Sequence, residues 1–158
     1  MKAPQPKSAG SPKRQLDSFL ARFTPEIAML ARRALAKMRK RLPNAIELVY
    51  DNYNALVIGF GPNERPSDAI FSIAIFPRKV GLCFLQGAKL PDPDKRLKGS
   101  GNVVRSVTLN DLSILDDPQI GALIDVALLR AKVRMDPKQK RKLIIRSISA
   151  KQRPRRPA

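Results

Sequence analysis

Residues 47–86 read ELVYDNYNALVIGFGPNERPSDAIFSIAIFPRKVGLCFLQ, and this stretch decides the fold. Runs rich in β-branched and aromatic side chains alternate here with Asn, Gly, Pro and Asp, a pattern typical of short strands separated by turns. The connections between successive runs are short enough for hairpins, so we expect an antiparallel meander. Together with one run further along the chain, the predicted strands are 47–52, 55–60, 69–76, 80–86 and 103–109.

Upstream of the sheet, apolar side chains recur every three or four residues, which corresponds to one face of a helix. The residues on this face are Leu16, Phe19, Leu20, Phe23, Ile27, Leu30, Ala34, Leu35 and Met38. Thr24-Pro25-Glu26 supplies the capping hydroxyl, the proline and the acid that are typical of a helix start. We therefore predict two helices that meet near Phe23, the second of which ends before Pro43.

Downstream of the sheet, Asp116-Asp117-Pro118 has the composition of a helix start. Apolar residues at helical spacing follow it, namely Ile120, Leu123, Ile124, Ala127, Leu128 and Ala131. We expect this helix to pack on the same sheet as the first two. The elements together predict one α+β domain, in which an antiparallel sheet of about five strands has the N-terminal and C-terminal helices packed on one side.

The net charge of +18 is distributed unevenly over the 158 residues. Residues 42–137 contain eleven basic and eleven acidic side chains, whereas residues 138–158 contain nine basic side chains and no acidic one. Residues 1–14 contain four basic side chains and no acid, and residues 15–41 contain seven basic side chains against two acids. The body of the domain is therefore neutral, and its periphery is basic.

This composition predicts three regions. Residues 1–14 are rich in Pro, Lys, Ser and Gly and lack the apolar surface needed to fold, so we expect a disordered basic tail. Residues 15–137 form the α+β domain, and residues 138–158 form a basic C-terminal tail that could add a short edge strand at 143–148. We find no signal-peptide core or bilayer-length apolar run, and a single cysteine is present. A cytoplasmic protein without a membrane segment is therefore expected.

The chemistry-bearing side chains do not predict an enzyme. The sequence has no histidine, which excludes imidazole-based triads and histidine-ligated metals. Cys83 lies between Leu82 and Phe84, where burial is expected to keep the thiol inert. The carboxylate pairs Asp92/Asp94 and Asp116/Asp117 could be acid/base or metal-binding groups, but a turn and a helix start explain them more simply. We expect no catalytic residue, metal site or cofactor.

The segment Lys98-Gly99-Ser100-Gly101-Asn102 is best suited to binding an anion, because its glycines allow backbone N–H groups to converge beside positive charge. It differs from a nucleotide phosphate loop, since the lysine precedes the glycines and a strand follows. Arg105 shares a strand face with apolar residues, which favours either the sheet margin or a pocket. The candidate ligand-binding residues are Lys89, Lys98, Gly99, Ser100, Gly101, Asn102, Arg105 and Tyr50. A flexible loop that leads into a strand is the alternative.

The basic C-terminal region suggests a second hypothesis, because lysines and arginines bind any phosphate backbone by releasing counterions. Its cations are Lys138, Lys140, Arg141, Lys142, Arg146, Lys151, Arg153, Arg155 and Arg156. The tails contain no base-stacking aromatics, and we find no nucleic-acid-binding motif, so only weak, non-specific binding of nucleic acid is expected. Solvated tails without a partner are the alternative.

Three segments resemble the YdhG-like domain family, a bacterial family of unknown function. They are residues 80–93, VGLCFLQGAKLPDP; residues 97–109, LKGSGNVVRSVTL; and the predicted helix at 120–132. The resemblance covers residues 24–135 and depends on an order of glycines and charges. It implies a domain in which helices pack on one side of an antiparallel sheet. Through the family's frataxin-like members, it also implies an intracellular iron chaperone.

These observations predict a non-enzymatic cytoplasmic binding domain for an anionic small molecule or an acidic protein. The first alternative is an accessory protein that binds nucleic acid through its basic tails. The second is the frataxin-like iron chaperone that the resemblance implies. Iron delivery uses exposed carboxylates or imidazoles, whereas this chain has no histidine and its early helical region is basic.

Overall fold

The computed structural model describes residues 10–157 as one α+β domain with helices beside a six-stranded mixed sheet. The predicted fold class is confirmed. The helices are α1 (Pro12–Leu20), α2 (Pro25–Arg41), α3 (Ser113–Asp116) and α4 (Pro118–Arg130). The strands are β1 (Ile46–Asp51), β2 (Leu56–Gly61), β3 (Phe71–Ile75), β4 (Val80–Phe84), β5 (Arg105–Thr108) and β6 (Lys142–Ile148). Short 3₁₀ turns at Pro66–Asp68 and Gly87–Lys89 lie in the connections.

The first helix begins earlier than the sequence analysis predicts. Residues 12–14 belong to α1 and not to a disordered tail, because Ser11 caps the helix and accepts a hydrogen bond from the backbone N–H of Arg14 at 3.2 Å. Pro12 occupies the first helical position, where its missing N–H has no cost. The remainder of the predicted tail, residues 1–9, lies outside the described residues.

The second helix has the predicted ends. The hydroxyl of Thr24 accepts from the N–H of Ile27 at 3.3 Å, and Pro25 follows as the first helical residue. Basic residues fill the last turn before the helix ends at Arg41, where the negative pole of the helix favours them. Among the helices of residues 10–157, none has the length and apolar character needed to cross a membrane.

The sheet has the strand order β5-β4-β3-β2-β1-β6. Strands β1 to β5 pair antiparallel, as the short connections predict, whereas β6 pairs parallel to β1. The prediction of a wholly antiparallel sheet of about five strands is corrected in this respect. Gln139 explains the direction, because its side-chain amide donates to the carbonyls of Asn44 (3.0 Å) and Pro62 (2.9 Å). The chain thereby enters β6 at the sheet end where β1 also begins.

One face of the sheet carries the core, and the helices pack on this face. A central row of apolar side chains crosses all six strands, and apolar residues of α1, α2 and α4 belong to the same buried cluster. The row consists of Ile145, Val49, Ile58, Ile73, Leu82 and Val107. Full burial of such a side chain contributes about 1.5–3 kcal/mol, so this row is a main source of stability.

Two carboxylates interrupt the apolar face of β1. Glu47 and Asp51 lie two residues on either side of Val49, and each is only 1% exposed. Arg39 of α2 binds Glu47 through both carboxylate oxygens, with its Nε at 3.1 and 3.0 Å. Arg155 binds Asp51 at 2.8 Å, and Arg22 lies 3.4 Å from the same carboxylate. Buried charges are tolerated only with such partners, so both acids depend on distant cations.

Residues 149–157, here termed the C-terminal segment, pack against the domain. Arg155 is 3% exposed, and its guanidinium lies 5.7 Å from the ring centroid of Phe23. The backbone N–H groups of Ser149 and Arg153 donate to the carbonyls of Asp51 and Tyr53, each at 2.9 Å. Residues 149–157 of the predicted basic tail over 138–158 are therefore part of the packed domain, which corrects the prediction for this part of the chain. Amino-acid composition does not reveal this packing, because its physical basis is the pairing of Arg155 with the buried carboxylate of Asp51.

Candidate functional site

A cleft of about 430 Å³ lies between the end of α4 and the two 3₁₀ turns. Its apolar lining includes Ile70 just before β3, Phe84 at the end of β4, Leu90 just after the Gly87–Lys89 turn and Ala127 of α4. The size and the apolar character are typical of small-molecule sites. The cleft therefore has room for a ligand with an apolar part.

Positive charge surrounds the cleft. Lys89, Arg130 and Lys132 line it and are exposed. One N–H of the Arg130 guanidinium donates to the carbonyl of Lys89 at 2.7 Å, which fixes the end of α4 against the Gly87–Lys89 turn. A guanidinium has five N–H donors, so the other donors of Arg130 remain for an anion.

Asp68 is the one acid of residues 10–157 that lines this cleft, and its carboxylate already has partners. The Asp68 carboxylate accepts from the Asn63 amide at 3.0 Å and lies 3.6 Å from Nε of Arg65. Its negative charge is therefore largely compensated within its own loop. The three cations around the cleft remain without a carboxylate partner in the described part of the chain, so the site favours an anionic ligand.

The structure brings the predicted glycine loop and Arg105 together, although Arg105 does not line the cleft. The Arg105 guanidinium donates to the carbonyls of Gly101 (2.7 Å) and Val104 (2.9 Å). Gly99 has a φ of +133°, a conformation that L side chains rarely adopt. Backbone bonds between Lys98 and Ser106 close the loop at 2.7 and 2.9 Å. Arg105 therefore stabilises the loop that precedes its own strand, and this role explains why an arginine lies on an apolar strand face.

Other predicted ligand residues are dispersed. Lys89 lies in the cleft, and Ser100, Gly101 and Asn102 are exposed on the loop. Tyr50 belongs to β1, which β2, β3 and β4 separate from β5, the strand of Arg105. Four strand spacings amount to about 19 Å, so Tyr50 and Arg105 do not share a site. The proposed cluster is corrected in this respect.

Three of the four carboxylates in the predicted pairs, Asp92, Asp116 and Asp117, have structural roles. The Asp92 carboxylate accepts from the backbone N–H groups of Arg96 (2.8 Å) and Leu97 (2.9 Å), which forms a turn. Asp116 pairs with Lys37 at 2.8 Å, and Asp117 caps α4. A hydrogen bond from Arg96 and another from the N–H of Gln119 lower the pKa of Asp117. Arg96 thus attaches the β4–β5 connection to the start of α4.

The nine cations of residues 138–158 fall into two groups. Arg141 lies 3.8 Å from Glu47, Lys142 lies 3.1 Å from Glu64, and Arg155 is buried beside Asp51. The remaining cations are exposed and have no carboxylate partner within residues 10–157. They are Lys138, Lys140, Arg146, Lys151, Arg153 and Arg156. One third of the predicted nucleic-acid contacts are therefore already paired with carboxylates of the domain.

Cys83 lies on the sheet face opposite the helices, across from Ser72 of β3. Burial raises the pKa of its thiol, and a hydrogen bond with Ser72 and the charge of Lys79 only partly oppose this effect. A raised pKa leaves less thiolate at neutral pH. We expect the folded protein to react with 5,5′-dithiobis(2-nitrobenzoate) at pH 7.5 more slowly than the urea-unfolded protein, and the rate to rise with pH. Equal rates in both states would contradict this.

Within residues 10–157, no three Cys, Asp or Glu side chains gather closely enough to hold a metal ion. Comparison of the chain with models of known protein families, with curated proteins and with solved structures finds no match. The resemblance to YdhG-like domains stays a prediction.

Arg130 and Lys132 are not predicted as ligand-binding residues from the sequence. A basic residue near a helix C-terminus is usually explained by the helix dipole, so neither attracts attention as a ligand-binding residue. One signal was present: Arg130 lies three residues after Ala127 and next to Ala131, on the margin of the apolar face of α4. A cation at this margin lies beside any cleft between the helix and the sheet on which it packs.

Proposed function

We propose that this protein is a non-enzymatic binding protein whose cleft takes a small anionic molecule with an apolar part. The observation that carries the proposal is the arrangement of Lys89, Arg130 and Lys132 around an apolar cavity of about 430 Å³. Volumes of 300–1,000 Å³ are usual for small-molecule sites, on the order of this cavity. An apolar floor supplies affinity, and the cations select the charge of the ligand.

The composition of the cleft supports binding without catalysis. The carboxylate of Asp68 is occupied by Asn63 and Arg65, so it is poorly placed to act as a base. Cys83 has a raised pKa and is not among the residues that line the cleft. The single reduced cysteine also fits a reducing compartment, and we propose that the protein acts in the cytoplasm.

Octanoate is a suitable probe because it combines a carboxylate with an apolar chain. At a concentration about 100 times the Kd, a ligand stabilises the folded state by about 2.7 kcal/mol. For a chain of this length, such stabilisation raises the melting temperature by about 5–10 °C. We expect this shift with octanoate and a much smaller one with octanol or inorganic phosphate, measured by thermal unfolding monitored by circular dichroism.

Arg130→Gln is expected to weaken octanoate binding about ten-fold, because a hydrogen bond to a charged group contributes about 1.5–3 kcal/mol. Arg105→Gln is the matched control, since it removes the same charge from the neighbouring loop. Loss of binding in Arg105→Gln but not in Arg130→Gln would place the site at the glycine loop. A melting temperature that octanoate leaves unchanged would contradict the proposal.

A further inference from the structure

A second basic surface lies at the end of the sheet opposite the cleft. The β1–β2 turn, the β3–β4 turn and the C-terminal segment meet there and form a groove of about 610 Å³. Arg78, Arg153 and Arg156 line this basic groove together with Phe76, and no acidic side chain of residues 10–157 lines it. All three arginines are exposed. This groove is separate from the cleft, and its interpretation does not depend on the proposed function above.

The fold fixes the two arginines of the C-terminal segment, Arg153 and Arg156. Arg155 anchors the C-terminal segment to buried Asp51 at 2.8 Å, and its neighbours along the chain face solvent on this surface. The backbone N–H of Arg153 donates to the carbonyl of Tyr53 at 2.9 Å. The Arg156 side chain donates to the carbonyl of Arg22 at 3.1 Å. A preorganised cationic surface loses less conformational entropy on binding than a flexible tail does.

Two aromatic rings accompany the cations. The guanidinium of Arg153 lies 5.5 Å from the ring centroid of Tyr53, and Nζ of Lys79 lies 5.2 Å from that of Phe76. Tyr53 is 47% exposed. Aromatic rings and guanidinium planes are the surfaces on which unpaired bases stack.

The positive surface continues beyond the groove. A neighbouring groove also contains Arg78, and it adds Lys79 and Arg33 of α2, with Glu26 and Asp111 among its other lining residues. Its cations have no carboxylate partner within residues 10–157. Cations that extend over two adjoining grooves can follow a phosphate backbone over several nucleotides.

We propose that this surface binds single-stranded nucleic acid, with phosphates on Arg78, Lys79 and Arg153 and a base stacked at Tyr53. A duplex would use the cations but would leave the aromatic ring without a role, because its bases are already stacked. An anionic membrane would also use the cations, but it favours a broad area of exposed large apolar side chains, whereas the described part of the chain places Tyr53 beside the basic groove and Met29 in the neighbouring groove.

The test measures fluorescence anisotropy of a labelled 15-nucleotide oligothymidylate at several salt concentrations. Arg78→Gln/Lys79→Gln is expected to reduce the slope of log affinity against log salt by about 1.4, since each single-strand phosphate contact contributes about 0.7. Tyr53→Leu is expected to weaken binding about ten-fold through lost stacking, with little change in the slope.

Lys138→Gln/Lys140→Gln is the matched control, because it removes two exposed cations at the opposite end of the sheet. Each variant's thermal unfolding is compared with that of the parent to confirm that it folds. An equal loss of affinity in both double variants would overturn the proposal, as it would indicate only a diffuse positive field. Unchanged binding in Tyr53→Leu, tighter binding to the matching duplex, or preference for phosphatidylserine vesicles would each overturn it too.

Discussion

Deletion of residues 142–158 is expected to unfold the protein at 25 °C. A solvated tail would be removed without cost, whereas this deletion removes a whole strand beside β1 together with the cation that pairs with buried Asp51. Asp51 would keep only the half-exposed Arg22 at 3.4 Å, and breaking a buried ion pair costs about 3–5 kcal/mol. Loss of Leu143 and Ile145 from the core margin adds about 1 kcal/mol or more each. The sum approaches the total stability of a typical domain, about 5–15 kcal/mol.

The measurement is far-UV circular dichroism with urea and thermal unfolding. The deleted chain is expected to lack a cooperative transition. Arg146→Gln/Lys151→Gln in the full chain is the matched control, because both side chains are exposed cations of the deleted region without carboxylate partners among the described residues. Its melting temperature is expected to stay within a few degrees of the parent, since exposed substitutions usually change stability by about 0.5 kcal/mol or less. A deletion variant that melts like the parent would refute the role of β6.

Arg39→Met is expected to destabilise the protein by about 3–5 kcal/mol, since it leaves Glu47 buried with only Arg141 nearby at 3.8 Å. For a chain of this length the melting temperature should fall by on the order of 10 °C. Methionine retains most of the volume and helix propensity of arginine, so the loss reports the charge and its hydrogen bonds. Urea unfolding measures the change.

The double variant Arg39→Met/Glu47→Met distinguishes the cost of an unpaired buried charge from the net contribution of the ion pair to stability. Replacing both partners of a buried ion pair by apolar side chains is often neutral or stabilising, so we expect it to recover most of the lost stability. Arg33→Met, an exposed arginine on the same helix, is the control for the substitution itself. A loss below about 1 kcal/mol in Arg39→Met would show that Glu47 does not need this partner.

The helices and hairpins could be predicted because their signals are local. Thr24 and Pro25 are the cap and the first residue of α2, and Asp117 and Pro118 have the same positions in α4. The hairpins likewise follow from turn residues between two adjacent strands. The start of α1 is not predicted, although Ser11-Pro12 is the same type of signal, because the basic, proline-rich surroundings favour disorder.

The position of β6 could not be predicted in this way, because its pairing partner is distant in the sequence. The Leu143–Ile148 run indicates a strand, but nothing local selects β1 as its neighbour or sets the parallel direction. A signal was nevertheless present in β1, where Glu47 and Asp51 share the alternation of Ala45 and Val49. Acids on an apolar face require cations, and the basic C-terminal region holds an excess of them.

The candidate site was predicted only in part for a similar reason. Lys89 was singled out from its glycine-containing surroundings, whereas Arg130 reaches the cleft through the packing of α4 on the sheet. Arg105 is predicted to bind a ligand, but in the structure its guanidinium donates to the carbonyl of Gly101. A sequence shows which cations are present, whereas the packing determines which of them pair within the fold and which remain exposed to a ligand.

The parallel pairing of β1 with β6 also sets the timing of folding during synthesis. The hydrogen bond between Gln152 and Asp51 joins residues 101 positions apart, so the ribosome must add most of the domain after β1 emerges. Contacts this distant form late and slowly. Until then the nascent meander presents two carboxylates on an otherwise apolar face. We expect nascent chains that stop before residue 142 to depend on chaperones, which rescue such incomplete intermediates.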